Sequence, residues 1–404
     1  MNRILLRSLV LTFLGAGAVG LAPIVEELSG GPQGKPQACE SELVEEVRIG
    51  TLTGAAEYSF SHVGSISIGA DGALYVSDSD LLSIREFDSE GRFVREIGRP
   101  GEGPGEFRSI AGVSVLPDGR LAAWDRGNRR VTVYGVDGDY DHAVRVESVA
   151  PPYPFVDGAF LTDSAGNYYL RIYVKAPSFG PDARGIARAR FGYARVSPDG
   201  VVIDTLVAPG PETRESIVIH TPAGDRSPFP VDMLDALSPL GYLVAGFNAT
   251  FAFSILDPAG TIRVEPEGLG PVDVTAGERA EWRARVAHAE RRSGMSFGEV
   301  PARKPAYRDL WVDSEGRIWV HRYAEAVRRD EPIPELWLDD PEGTTPRITW
   351  AEPSLHDVYG RDGRLLHCVM APDDAELVAS RGSHVWGIVR GALAEEYVVR
   401  WRIE

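Results

Sequence analysis

A unit of four short β-type runs, joined by turns rich in Asp and Gly, recurs along this sequence. One copy is GVSVLPDGRLAAWDRGNRRVTVYGVDG, from Gly112 to Gly138. The same order stands one unit earlier as SISIGADG, ALYVSDSD, LLSIREFDSEG and RFVREIG. It returns as AFLTDSAGN, YYLRIYV, FGYARVSPDG and VVIDTLV, then as DMLDALSPLG, YLVAGFNA, FSILDPAG and TIRVEPE. A further copy is RDLWVDSEG, RIWVHRY, ITWAEPSLHDVYGRDG and RLLHCVM; the last, AELVASRG, SHVWGIVRG and EEYVVRWRIE, stops after three runs. Such runs, with turn residues between them and no helical period, are strands. A four-stranded sheet of this size buries its faces only against neighbouring copies, so the repetition predicts a β-propeller.

Five complete units and one of three strands leave a gap. The run LVEEVRIGTL, residues 43–52, lies before the first unit. Paired with residues 395–403 it supplies the missing strand and closes the ring without an open edge. The expected fold is therefore all-β: a six-bladed β-propeller of four-stranded blades over residues 42–404, with the N-terminal strand completing the last blade and one helix inserted in a loop. A barrel or an immunoglobulin-type sandwich does not explain why both turns of each unit share the same Asp/Gly chemistry.

The glycines of GRPGEGPGEF, residues 98–107, suggest a phosphate loop at first sight. Such a loop needs a helix after it, whose free N–H groups meet the anion, and here a strand follows. Gly101, Gly103 and Gly105 fit better as a tight connector between blades, where a Cβ would restrict the backbone. Over roughly residues 60–140 the units resemble NHL-type repeats, with GEGPGEF leading into the run quoted above. That resemblance implies propeller architecture and places Asp125, Asn128 and Arg130 at positions that staple the bend between second and third strands. The residue chemistry agrees, since Asp and Asn side chains bond nearby backbone in turns.

The first residues read as an export signal: Arg3 and Arg7, an apolar core from Leu9 to Leu14, and the small residues Ala16-Gly-Ala18. A retained anchor is the alternative, but the apolar stretch 8–25 contains three glycines and a proline and barely reaches spanning length. Residues 1–18 are expected to be removed and 19–41 to form a flexible Gly/Pro/Glu-rich leader, leaving an extracytoplasmic protein, periplasmic or secreted, with no membrane span. Cys39 lacks a lipobox. Cys39 and Cys368 leave a structural bridge or two free thiols open, and free thiols are favoured because a chain of 404 residues needs no bridge. The formal charge of -17 excludes a nucleic-acid partner.

With strands a to d numbered from the axis outward, the a–b and c–d turns share one face of the disc and the b–c and d–a connections share the other. Every a–b and c–d turn is tight. The long insertions, 176–189, 210–230, 268–307 and 324–347, all fall on the opposite face, where loops of that length are usually functional or disordered. Within the third, residues 276–292 read as a helix with Thr275 as N-cap, Glu278 in the first turn, and Trp282, Val286 and Ala289 on one face, a lid or ordinary packing.

No metal-binding His motif and no Gly-x-Ser-x-Gly elbow occurs. His62 and His321 are placed to look toward the axial mouth, while His142, His367 and His384 lie away from it. Ligand-binding candidates are His321, Arg322 and Tyr323, with Trp282 and Arg285 from the helix. Two functions remain: a monomeric binding or sensor module, without cofactor, holding a protein, peptide or glycan on the long-loop face; or a metal-dependent lyase or lactonase with a divalent ion at the axial mouth. The fold does not choose between them.

Overall fold

The computed structural model describes residues 39, 41–146, 155–179, 186–209, 216–219, 228–293, 298–330, 344–391, 393 and 395–404. The expected signal, and the leader apart from Cys39 and Ser41, lie outside the described residues. The chain is an all-β propeller of six blades. Blade 1 runs Val63–Ile68, Leu74–Asp78, Ser83–Phe87 and Phe93–Ile97; blade 2 runs Ile110–Val115, Leu121–Asp125, Arg130–Tyr134 and Tyr140–Arg145. Blade 3 is Phe155–Thr162, Tyr168–Phe179, Ile186–Val196 and Val202–Leu206; blade 4 is Met233–Leu237, Leu243–Phe247, Phe253–Asp257 and Gly260–Val264. Blade 5 is Tyr307–Val312, Ile318–Arg322, Ser354–Tyr359 and Leu365–Ala371. Blade 6 is Ala375–Arg381, His384–Arg390 and Glu396–Ile403, completed by Leu43–Ile49 as its outermost strand.

Position in the blade decides the pattern along each strand. Leu74–Asp78 and Ser83–Phe87 are buried at every residue, because both faces of a middle strand meet neighbouring blades. The outermost strand Phe93–Ile97 alternates instead, with one face wet. The Asp/Gly turns work as their chemistry requires. Asp88 Oδ1 accepts the N–H groups of Glu90 and Arg92, at 3.0 and 2.9 Å, while Gly91 takes the left-handed φ of +79° that closes the turn.

The closing pair runs antiparallel from Leu43↔Ile403 to Ile49↔Val398, so it is three residues shorter than the run 43–52 suggested. Gly50 ends it: at φ +139° the chain turns out, and a Cβ there would lie 2.9 Å from the Glu396 carbonyl. The same closure overturns the expectation of free thiols. Ser41 bridges Val369 of blade 5 in parallel, which sets Cys39 beside Cys368, with Cα atoms 4.7 Å apart and the sulfurs joined. The bridge ties the incoming segment to blade 5 one step before it joins blade 6.

The insertion 176–189 is also more regular than a loop. Strands b and c of blade 3 continue to Phe179 and from Ile186, and Ser216–Ile219 adds a further strand to the second of them. The β-branched and aromatic residues of YYLRIYV simply carry the ladder outward. At the connector before blade 2, Gly101 and Gly105 have φ of +152° and +72°, whereas Gly103 does not need a positive φ; a Cβ on it would crowd Glu106 Oε2 at 2.9 Å.

Candidate functional site

Asp125, Asn128 and Arg130 bind backbone, as the bend requires. The Asp125 carboxylate, fully buried, accepts the N–H groups of Arg108, Ser109 and Asn128 and the Asn128 side-chain amide. Arg130 donates to the carbonyls of Glu102, Gly103 and Glu106. Asp78 in blade 1 and Asn248 in blade 4 do the same work. These residues hold the ring together.

Every described element outside the blades lies on the b–c and d–a face. The largest is helix α1, Ala276–Ser293, whose N-cap is Thr275: its Oγ1 accepts the Glu278 N–H at 3.2 Å. The Glu278 side chain turns inward to Lys304, whose Nζ lies 2.8 Å away and also 3.0 Å from Glu352, and donates to the Ala324 carbonyl at 3.1 Å. Lys304 is 1% exposed and has no water to fall back on. Burial raises the Glu278 pKa, against the pull of Lys304. Beside this triad, Phe229, Val274, Val300 and Tyr323 form a core of their own, against which Trp282 and Val286 pack. The described parts of the insertions around α1 thus build a second layer on the disc.

The three consecutive candidates of blade 5 have different partners. His321 shares a strand face with Trp319, which packs against blade 6, and stacks on His356 with ring centroids 4.3 Å apart. Ser354 Oγ lies 3.4 Å from Nε2 of His321 and 3.2 Å from Nε2 of His356. Arg322 points the other way, to Asp357 Oδ1 at 3.5 Å and to the sulfurs of Cys39 and Cys368 at 3.5 and 3.7 Å. Tyr323 is buried in the loop-layer core, edge-on to Phe229, with the Arg308 guanidinium 4.7 Å above its ring. Trp282 meets Phe229 edge-on, and Arg285 covers Trp282 at 5.6 Å. Arg322 and Tyr323 do come together at one cavity, of ≈ 420 Å³, walled by Phe251, Glu325 and the connector 268–272.

The sequence reading missed His356, Asp309, Arg171 and Asp235. Asp309, His321 and His356 form one row across three strands of blade 5, a relation fixed by register that no spacing in the chain displays. Desolvation holds His321 well below the usual imidazole range, with His356 and Arg308 adding to it. His356 is brought down to about 4 by burial and Arg308. Asp309 is exposed on the innermost strand yet crowded by protein, and that desolvation, reinforced by Glu376, raises its pKa to about 6. Across the seam between blades 3 and 4, Arg171 lies over Phe191 and donates to Tyr193 Oη at 2.9 Å and Asp235 at 3.3 Å.

The axial cavity, of ≈ 1090 Å³, is lined from His62 and Arg108 on the long-loop side to Leu240 and Arg381 among the short turns, so it spans the disc. His62 does stand at its rim, 3.5 Å from Glu396. Among the described residues, the one close-set group of metal-ligating side chains is Cys39, Asp357 and Cys368, away from that rim.

A family model described as a 6-bladed beta-propeller matches residues 38–171. No curated protein matches the chain. Among solved structures, a member of the duf4221 family from Bacteroides vulgatus aligns at 10% identity and a TM-score of 0.51, covering 91% of this chain and 99% of its own. A Bacteroides fragilis protein described as exported aligns at 12% identity and a TM-score of 0.48, over 92% and 99% of the two chains. A gluconolactonase from Xanthomonas campestris aligns at 12% identity and a TM-score of 0.42, over 92% and 98%. At such identities a likeness speaks to the fold alone; the family match agrees with six blades, and the Bacteroides vulgatus structure with the overall fold. NHL character stays a resemblance carried by residues 60–140. Among the described residues no helix is long and apolar enough to cross a membrane.

Proposed function

We propose that this chain is an exported binding module that holds a protein, peptide or glycan on the face carrying the long b–c and d–a connections. One observation carries the reading: the described part of the insertion 268–307, with Phe229 and Tyr323, forms a packed layer, clamped by the Lys304–Glu278–Glu352 triad beside a cavity at Arg322, Tyr323 and Glu325. Elaboration confined to one face of a ring, packed where it is described and opposite turns of minimal length, suits recognition better than drift. Ligands would meet apolar area from the 268–272 connector and charge from Glu325 and Arg322.

The test is capture of a ligand from the exported fraction of the native host with chain 19–404, followed by amide hydrogen exchange on the complex. Protection is expected at residues 268–272 and 324–328. Protection confined to the a–b turns, such as residues 69–73 and 116–120, would overturn the reading.

A lyase or lactonase at the axial mouth draws on a different pair. Neutral His321 beside Asp309, whose pKa is raised to about 6, is an arrangement that acid–base chemistry uses. If that reading holds, a divalent ion binds at the mouth and Asp309→Asn abolishes its binding.

A further inference from the structure

The bridge between Cys39 and Cys368 has an unusual neighbour. Asp357 lies opposite Cys368 in the next strand of blade 5, is 3% exposed, and keeps one carboxylate oxygen, Oδ2, without any hydrogen-bond partner. Among the described residues, its other oxygen has only Arg322, at 3.5 Å. A buried carboxylate left half-satisfied is costly, and packing alone gives no reason to keep one. Ligand atoms of Cys39, Cys368 and Asp357 lie within 4.8 Å of one another.

We propose that, when the bridge is reduced, Cys39, Cys368 and Asp357 form a site for a soft divalent cation of the Zn²⁺ class. Two thiolates and one carboxylate are a donor set for such an ion, at about 2.3 Å from sulfur and about 2.0 Å from oxygen. Cα atoms 4.7 Å apart allow both sulfurs to turn toward one centre. Charge balances as well: the ion cancels two of the three ligand charges, and the Arg322 guanidinium beside both sulfurs cancels the third. Cys39 is only partly buried, which leaves water a way to the fourth position. The chemistry is closed. A phosphine reductant takes up oxygen from water and becomes its oxide, the S–S bond breaks, and both sulfurs leave as thiols. Metal entry then releases the thiol protons to solvent.

Co²⁺ is the probe, because sulfur-to-cobalt charge transfer absorbs only when a thiolate is bound. The oxidised protein is expected to show no such band, and the phosphine-reduced protein one equivalent, displaced by Zn²⁺. Asp357→Asn should weaken binding at least about tenfold, and Asp357→Glu should retain it. Cys39→Ser, which alters the chain at the partly exposed end of the site, should lose most of the band even if Asp357→Asn fails to fold. A reduced protein without the band, or Cys39→Ser or Asp357→Asn binding as tightly as the unaltered chain, overturns the proposal.

Discussion

Two aspartates of blade 2 separate holding the ring from decorating it. Asp125 is buried and receives N–H groups from three residues and the Asn128 amide. Removing it strands those donors, so Asp125→Ala is expected to lower stability by about 3 kcal/mol in urea unfolding. Asp118, half exposed in an a–b turn with Arg120, should cost about 0.5 kcal/mol or less in the same assay. Asp309 makes a pH prediction. Its folded pKa of about 6 exceeds the unfolded value, so the folded state holds the proton more firmly and stability is lost as pH rises from about 4 to 6. Asp309→Asn should therefore raise the urea midpoint above pH 6 and lose that advantage toward pH 4. His356 works in the opposite sense. Its folded pKa of about 4 lies below the unfolded one, so its share of stability is full above about 6.5 and is lost as pH falls to 4. Comparing Asp309→Asn with the unaltered chain at each pH isolates the aspartate.

At the scale of elements, the loop layer and the closing strand fail differently. Lys304→Met leaves Glu278 buried without its cation, while Glu352 keeps Arg308 at 3.4 Å; a loss of about 3 kcal/mol should fall first on α1. Limited proteolysis should then cut within residues 276–293 while the blades stay intact. Deleting residues 1–38 should leave thermal stability unchanged, whereas deleting 1–52 bares the edge of Glu396–Ile403 and uncovers Ile49's partners, giving aggregation or a cooperative loss. Equal stability of the two truncations would refute the closure. The strands and turns were legible because each carries a local signature: β-type runs, Asp-Gly or Asp-x-x-Gly turns, and N-cap Thr275 with Glu278. The partners of Glu278 were not legible, since Lys304 lies at the far end of the same insertion and Glu352 in the b–c connection of blade 5, and the three meet only once both fold. Likewise, nothing local distinguishes Cys39 as bridged; its partner is set by the ring's closure 329 residues away.

For the whole molecule, repetition made the architecture readable, and the break in repetition marked the face to examine. What spacing cannot convey is which residues converge at seams between blades, because each seam joins residues from different repeats. Arg171 meets Asp235 across the seam between blades 3 and 4, from two repeats in neither of which the pair is visible. His321 became a candidate through its place at a strand end, yet the register is what joins it to Asp309 and His356.

The closing strand also sets a timetable. Of the blade strands, Leu43–Ile49 leaves the ribosome first, and the strand it pairs with, Glu396–Ile403, leaves it last. Blades 1 to 5 each complete themselves from consecutive residues, so they can form in order as the chain emerges. Blade 6 cannot. Until residue 396 is available, the strand 43–49 has an open edge and the ring an open seam, and the cavity along the axis has no complete wall. A pairing of such sequence separation comes late and slowly. The chain is therefore an open arc while blades 1 to 5 form, and becomes a disc only when Glu396–Ile403 meets Leu43–Ile49.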